Sequence, residues 1–381
     1  MQYRLSFTFM KREYMHRHFV TIRQKNTRNK YLRITVIGWR WQLTGFSELE
    51  GVGVKRIKNN ALVKKIGFNR VVLFCALILM YIIFAILSPT FLNYNRILSA
   101  LNYAYFLGFL SLGVTFVIAT GGIDFSIGPV MFCAALISGH LLTKAGVPLL
   151  IALLVSILVG MAFGVLNGYL VAYWKMPSFI TSMSSMMLAK GIGSVFTKTQ
   201  SVRWPQAAQE NGEFRMLVKM TTSTGMQIPT GLILLLVIAV ICAIVLNKTE
   251  IGRHILCIGG NKEAVRLSGV NVRKWEMLAY IICGSMAGIA AIAYVGAYST
   301  VQPGMGDTFN NEAIAGCVMG GTSMTGGIAS ISGTLIGVMI IALLQEGILA
   351  MGFQKDWQYV ITGIIVLVAV YTDVRSRRKS D

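Results

Sequence analysis

The sequence predicts an all-α, polytopic membrane protein of about ten spans, and three observations carry that expectation. Apolar runs of about eighteen residues recur along the 381-residue chain, the length needed to cross the hydrocarbon core. Hydrophobic residues make up 55% and charged residues 13%, where a soluble domain has about a quarter charged. The net charge of +20 is also unevenly placed. Residues 1–70 hold sixteen Lys/Arg against three Glu, and most of the remainder falls in one central loop and the last seven residues. That is the positive-inside pattern, with added attraction to anionic membrane lipid.

Residues 1–61 read as a basic cytoplasmic extension. They lack the apolar core of a signal peptide, and a short alternating piece covers residues 32–37. Residues 55–70 followed by an apolar run already form a complete membrane-protein N-terminus, so a translation start near Val52 or Val54 is an alternative expectation. The multi-span apolar body runs over residues 62–373, and 374–381 is a basic tail. Expected spans are 71–88, 104–120, 127–143, 147–174, 178–196, 229–246, 277–294, a short Gly-rich one at 312–321, 331–349 and 357–371. Ten spans put both termini and the central loop on the cytoplasmic side. The polar stretch 197–227 then lies outside despite Lys198, Arg203, Arg215 and Lys219. Glycine stripes at 160/164/168, 284/288 and 333/337 allow close helix approach or line a passage.

The central loop, residues 247–276, interrupts the run of spans for about thirty residues. It carries a turn signal at Gly259, Gly260 and Asn261, then a short helix expected over 262–267 and closed by Gly269. A basic, ordered loop between apolar blocks should meet a cytoplasmic partner.

Several polar groups lie inside or between spans. Asp124 and Ser126 belong to TGGIDFSIG, residues 120–128. A carboxylate at the bilayer centre costs roughly 2.5–3.5 kcal/mol, so Asp124 faces protein or water. It marks a broken helix beside a transport path, or it caps the span that follows. Glu312 opens NNEAIAGCVMGGTSMTGGIASISGTLIG, where glycine pairs bracket Thr322 and Ser323, the texture of discontinuous transporter helices. Asn167, Phe179, Thr181 and Ser185 add amide, hydroxyl and aromatic groups. That mixture suits a neutral polar substrate such as a sugar, and helix–helix hydrogen bonds account for it equally well. Glu346 is the acidic residue deepest in an apolar run, so it must be paired, protonated or wet.

Other classes find no support. No G-x-x-x-x-G-K-[ST], H-E-x-x-H or G-x-S-x-G occurs. Five of six cysteines fall in apolar runs without a C-x-x-C pair, and the four histidines lack metal-ligand spacing. No aromatic-basic interleaving suggests nucleic acid.

These motifs, in this order and spacing, resemble the permease subunits of bacterial ABC sugar importers of the ribose/xylose/galactose type. The resemblance rests on TGGIDFSIG, GVLNG at 164–168, PSFITSMSSMMLAKGIGSVFT from Pro177, GRHILCIGGNKEAVRLSGVNV from Gly252, AIAGCVMGGTSMTGGIASISGTLIG from Ala313 and WQYVITGIIVLVAVYTD from Trp357. It implies a type II-like importer permease in the bacterial inner membrane. It implies pairing with a second copy or paralogue, delivery by an extracytoplasmic sugar-binding protein, and separate ATPase subunits that hold ATP and Mg. No cofactor binds this chain on that reading. Residues 252–272 would couple to the ATPase through Gly252, Arg253, Gly259, Gly260, Asn261, Glu263, Ala264, Arg266, Leu267, Ser268 and Gly269, with a bulky residue at Gly260 expected to uncouple it. Asp124, Ser126, Asn167, Phe179, Thr181, Ser185, Glu312, Thr322 and Ser323 are the expected pathway residues. Where such permeases have Tyr-Glu-Leu-Asp, this chain has Phe309, Asn310, Asn311 and Glu312. Where they often have Asn-Asn-Gly or Asp-Asn-Gly, it has Gln345, Glu346 and Gly347. Both changes bear on the substrate, and the alternatives are another small solute (a branched-chain amino acid or a signalling furanose) or a stand-alone secondary carrier.

Overall fold

Residues 19–25, 31–37, 68–222, 226–354 and 356–377 are described by a computed structural model. The chain divides into residues 1–66 and 67–381. In the first unit, β1 (Phe19–Lys25) pairs antiparallel with β2 (Tyr31–Ile37), from Phe19 opposite Ile37 to Lys25 opposite Tyr31. The alternating piece read from the sequence falls within β2. The rest of the 1–61 extension, with Val52 and Val54, lies outside the described residues.

The second unit holds twelve α-helices among the described residues. They are α1 (Phe68–Leu87), α2 (Tyr94–Ala119), α3 (Ile127–Lys144), α4 (Leu149–Ala172), α5 (Ser178–Phe196) and α6 (Thr230–Lys248). After them come α7 (Glu250–Gly260), α8 (Lys262–Leu267), α9 (Val272–Ala297), α10 (Asp307–Met319), α11 (Ile331–Ala350) and α12 (Trp357–Arg377). Seven of these are long and apolar enough to cross a membrane: α1 from Arg70 onward, α2, α3, α4, α6, α9 and α11. This is a polytopic helical membrane fold. The expected spans at α5, α10 and α12 fall outside that set. The 13-residue α10 is only about 20 Å long at 1.5 Å per residue, short of the ~30 Å hydrocarbon core. Serines and Lys190 dilute the apolar character of α5.

Two boundaries differ from the sequence expectation for identifiable reasons. Helix α2 starts ten residues early, at Tyr94, because the Asn93 side chain accepts the Asn95 amide at 3.1 Å and caps it. The polar Asn95, Arg96 and Asn102 hide that turn in a hydropathy reading. In the central loop, residues 250–260 form a helix where a plain loop with one short helix is expected. Gly252, Ile255 and Ile258 recur at helical spacing and are buried on one face.

Helix α2 is the axis of the bundle. Every residue from Tyr103 to Thr120 is buried, as a helix apolar on all sides requires. It packs against α9, α11, α10 and α6. Around it, α1 presents Phe74, Leu79, Ile86 and Leu87 outward, the surface of a lipid-facing helix. The Ser88 hydroxyl after α1 donates to the Ala350 carbonyl at 2.8 Å, which joins the ends of α1 and α11.

The glycine stripes resolve as helix packing. Gly160, Gly164 and Gly168 of α4 face the backbone of α9 around Gly284 and Gly288, while Gly316 of α10 and Gly320 just after it face Gly333 and Gly337 of α11. A methyl on Gly164 would sit 2.5 Å from the Tyr280 carbonyl oxygen and 3.0 Å from the Ile281 Cα. Without a solvent-driven force between helices, such close approach supplies the van der Waals attraction. In the 197–227 stretch, basic charge is partly consumed by folding. Arg215 is buried and donates to Ser299 Oγ at 3.0 Å, and burial lowers its pKa from the ordinary guanidinium value. Lys219 is lowered too, by burial and then by the Arg215 charge.

Gly164→Leu is expected to destabilise the protein by at least the ~1–3 kcal/mol typical of overpacking. Gly363→Leu, with nothing within 4 Å of the added carbon, should leave the melting temperature unchanged. Thermal melts of the detergent-solubilised full chain check both, and equal melting of the two variants would refute the packing assignment.

Candidate functional site

Two helix breaks and the end of a third helix meet at one point. After α2 the chain turns through Thr120–Gly122, with Gly121 at φ +84°. After α10 it turns through 320–330, with Gly321, Gly326 and Gly327 at positive φ. The sequence offers only a compositional echo between these stretches, but in the fold they touch: the Gly327 amide donates to the Ala119 carbonyl at 3.0 Å. Gly259 near the end of α7 fills the same spot. A side chain there would overlap the Ala119 carbonyl oxygen and the Gly327 amide. Thr322 and Ser323 shape the second turn, Thr322 Oγ1 accepting the Ser330 amide at 3.3 Å and Ser323 Oγ lying 3.1 Å from Thr325 Oγ1.

Beyond Gly259 the chain presents an outward face. Gly260 has open space where a side chain would go, whereas Gly259 has none. The Asn261 side chain accepts the Ala264 amide at 2.9 Å and caps α8. Ser268 Oγ donates to the Val265 carbonyl, and Gly269 at φ +84° ends the turn. No residue of α8 is buried, and Leu267 is 76% exposed. Lys262 ties α8 to α9 through both Glu276 oxygens at 2.8 Å. Glu263 and Arg266 pair on the surface; the hydrogen bond from Arg266 holds the Glu263 carboxyl below its ordinary pKa. Arg253 reaches Glu250 at 4.0 Å, and Gly252 is buried within α7. A cleft of about 860 Å³ opens between this face and the first break, lined by Gly121, Gly122 and Ser178 on one side and Lys262, Arg266 and Glu276 on the other.

Above the break lies a buried polar network. Asp124 is 2% exposed. Its Oδ1 accepts the Ser126 amide at 2.8 Å and the Ser126 hydroxyl at 2.6 Å. Asn167 Nδ2 of α4 donates to Ser126 Oγ at 2.9 Å and to Asp124 Oδ2 at 3.4 Å, and Ser185 of α5 donates to Asn167 Oδ1. Asp124 therefore closes its own turn and does not cap α3. The Gly128 amide at the start of α3 is satisfied by Asn310 Oδ1 of α10 at 2.7 Å.

The fold thus joins four of the nine expected pathway residues: Asp124, Ser126, Asn167 and Ser185. Thr181 bonds only its own helix, to the Pro177 carbonyl, and Phe179 is half exposed with its ring edge-on to Phe125 at 5.6 Å. Glu312 sits in a second buried cluster, accepting from Tyr103 and, at 3.1 Å, from Gln358 Nε2. Glu346 is paired with Arg96 at 3.5 Å. The sequence reading missed Tyr103, Gln358 and a hydroxyl–thiol cluster in which Thr115 contacts Thr334 and Cys317. Their side chains look like ordinary span residues until helices bring them together.

The fold is thus a membrane bundle with broken helices, buried polar ties and one short helix that has no buried residue. The family model described as branched-chain amino acid transport system / permease component matches residues 96–370. The ribose import permease protein RbsC of Bacillus subtilis is 36% identical over 86% of this chain and 97% of its own length. RbsC of Escherichia coli K12 is 31% identical over 78% and 91%, and the xylose transport system permease protein XylH of the same strain is 28% identical over 76% and 87%. No solved structure matches. The chain belongs to this permease family: it is a multi-pass protein of the inner membrane and a transport component, not itself an enzyme.

Two outcomes test the geometry. Asn167→Ala strips a donor from Asp124 and the acceptor from Ser185, and should cost about 1–3 kcal/mol of stability; an unchanged melt of the solubilised chain would remove the network from the folding account. Gly259→Val should abolish the transport supported by the full complex while Gly260→Ala leaves it intact, as initial uptake rates in membrane vesicles will report.

Proposed function

We propose that the chain is the membrane-spanning permease of an ATP-driven importer for a simple sugar. The sugar is delivered by an extracytoplasmic binding protein. ATP and Mg are held by separate ATPase subunits that dock on residues 252–272, and a second permease copy or paralogue completes the pathway. Ten crossings, α1 to α6 and α9 to α12, keep both termini in the cytoplasm. The order of contacts supports that count, since the ends of α2, α7 and α10 gather at Gly259 while α1 and α11 end together at the other pole.

One observation carries the reading. An exposed, capped helix, α8, is fastened to α9 by Lys262 and Glu276, and its neighbour α7 presses Gly259 onto both helix breaks. A helix with no buried side chain gains nothing from its own packing, so the ties that hold it serve a partner. Movement of that partner would reach the breaks directly. The sugar is supported by relatives named for ribose and fructose import and for xylose transport. A second reading, a branched-chain amino acid, is favoured by the family's description.

Purification of the full-length chain from its own host membranes should bring down an ATP-hydrolysing subunit, and Leu267→Asp with Arg266→Glu should release it. Vesicles of the intact complex should take up ribose in preference to leucine. Leucine uptake would decide for the second reading, and uptake by this chain alone under an ion gradient would make it a secondary carrier.

A further inference from the structure

We infer that the aromatic and carboxylate cluster far from Gly259 is a binding site for a sugar ring on the path through the protein. The inference rests on the sugar reading above. The cluster begins at Tyr103, sixteen residues from Ala119, or about 24 Å along α2 at 1.5 Å per residue.

Phe106 of α2, Phe132 of α3, Tyr294 of α9 and Phe309 of α10 form one wall, with ring centroids 4.9–6.2 Å apart. Tyr298 extends it, 5.1 Å from Tyr294, and is 37% exposed, so the wall is open on that side. Two carboxylates stand beside the rings. Glu312 accepts from Tyr103 and Gln358, and Glu346 lies by Arg96 and within electrostatic range of Tyr298.

Gln358 is fully buried, and its amide nitrogen is used on Glu312, yet its Oε1 has no partner. The Thr362 hydroxyl, one turn further along α12, has none either. Buried acceptors without donors are uncommon in native structures and need an explanation. A carbonyl oxygen without a donor, on the side chain that binds Glu312, in a cluster with a part-open aromatic wall, asks for hydroxyl donors carried on a ring with an apolar face. A monosaccharide supplies both: its O–H groups donate to carboxylate and amide oxygens, and its C–H face lies against aromatic carbons. An amino acid fits less well: its ammonium would donate to Glu312, but its own carboxylate would then stand near Glu312 and Glu346. The Asp124 network differs in kind. Its carboxylate already receives donors from Ser126 and Asn167, so it reads as a tie between helices.

The test is initial D-ribose uptake by vesicles containing the whole transporter and its binding protein. Glu312→Gln keeps the size of the side chain but loses its charged acceptor, and should slow uptake about tenfold or more. Glu312→Asp keeps the carboxylate and should retain most of the rate. Phe309→Leu should raise the ribose concentration needed for half-maximal uptake. Wild-type rates in both Glu312→Gln and Phe309→Leu would overturn the site. Glu312→Asp failing as fully as Glu312→Gln would also overturn it, by making the residue structural. If Glu312→Gln does not accumulate in the membrane, Tyr298→Leu replaces it with the same two outcomes, since that side chain is partly exposed. A wild-type complex that imports no monosaccharide defeats the sugar reading itself, whatever the variants do.

Discussion

The fold depends on backbone meeting backbone at Gly259. The end of α2, the turn after α10 and the end of α7 converge there with no side chain between them, joined by the Gly327–Ala119 hydrogen bond. Two helices are broken at that point, and breaks expose amides and carbonyls that lipid cannot satisfy. Each break answers part of the other's need, and α7 covers both. Glycine is required for two separate reasons: Gly121, Gly326 and Gly327 adopt positive φ, and Gly259 has no room for a β-carbon.

The same demand for satisfaction organises the polar groups further into the bundle. A carboxylate surrounded by apolar helices must find donors or a counter-charge. Asp124 finds Ser126 and Asn167, Glu312 finds Tyr103 and Gln358, and Glu346 finds Arg96. Every one of these sets joins at least two elements. They therefore fix the rotation of each helix about its axis, which apolar packing alone leaves loosely defined. The Gly128 amide, met by Asn310, extends this from the start of α3 to α10.

Much of this architecture was legible in the sequence, and what was not follows from how side chains meet. Apolar runs of membrane length marked the helices closely where they were continuous, as at 127–143 and 331–349. The cap and stop of α8, Asn261 and Gly269, act over three or four residues and could be read directly. Helix α7 was hidden by its charges, though the spacing of Gly252, Ile255 and Ile258 carried the signal. The start of α2 was hidden because Asn95, Arg96 and Asn102 interrupt the apolar run, and the partner of Arg96, Glu346, lies 250 residues away. Among the pathway residues, local sequence gave candidates but not partners. Asp124 and Glu312 look alike as isolated carboxylates, yet one closes a saturated tie and the other stands beside an amide oxygen that lacks a donor.

The glycine contacts also determine what kind of motion the protein can make. Where α4 meets α9 through Gly160, Gly164, Gly284 and Gly288, no flexible side chain lies between the backbones to be compressed. Close-packed interiors resist continuous deformation, so a push is taken up where the backbone can turn. The turns beside Gly121 and Gly326 are such places, and Gly259 bears on both. Helix α2, buried along its length, runs as a stiff rod from that junction to Tyr103 and the aromatic wall. With a partner docked as proposed, a force applied through α8 at one end would change the angle at the breaks, and the rod would carry that change about 24 Å to the other end. On the proposed docking, the chain needs no chemistry of its own to link ATP hydrolysis to the far cluster. It needs two adjoining hinges, a bar leading away from them, and glycines that leave no slack.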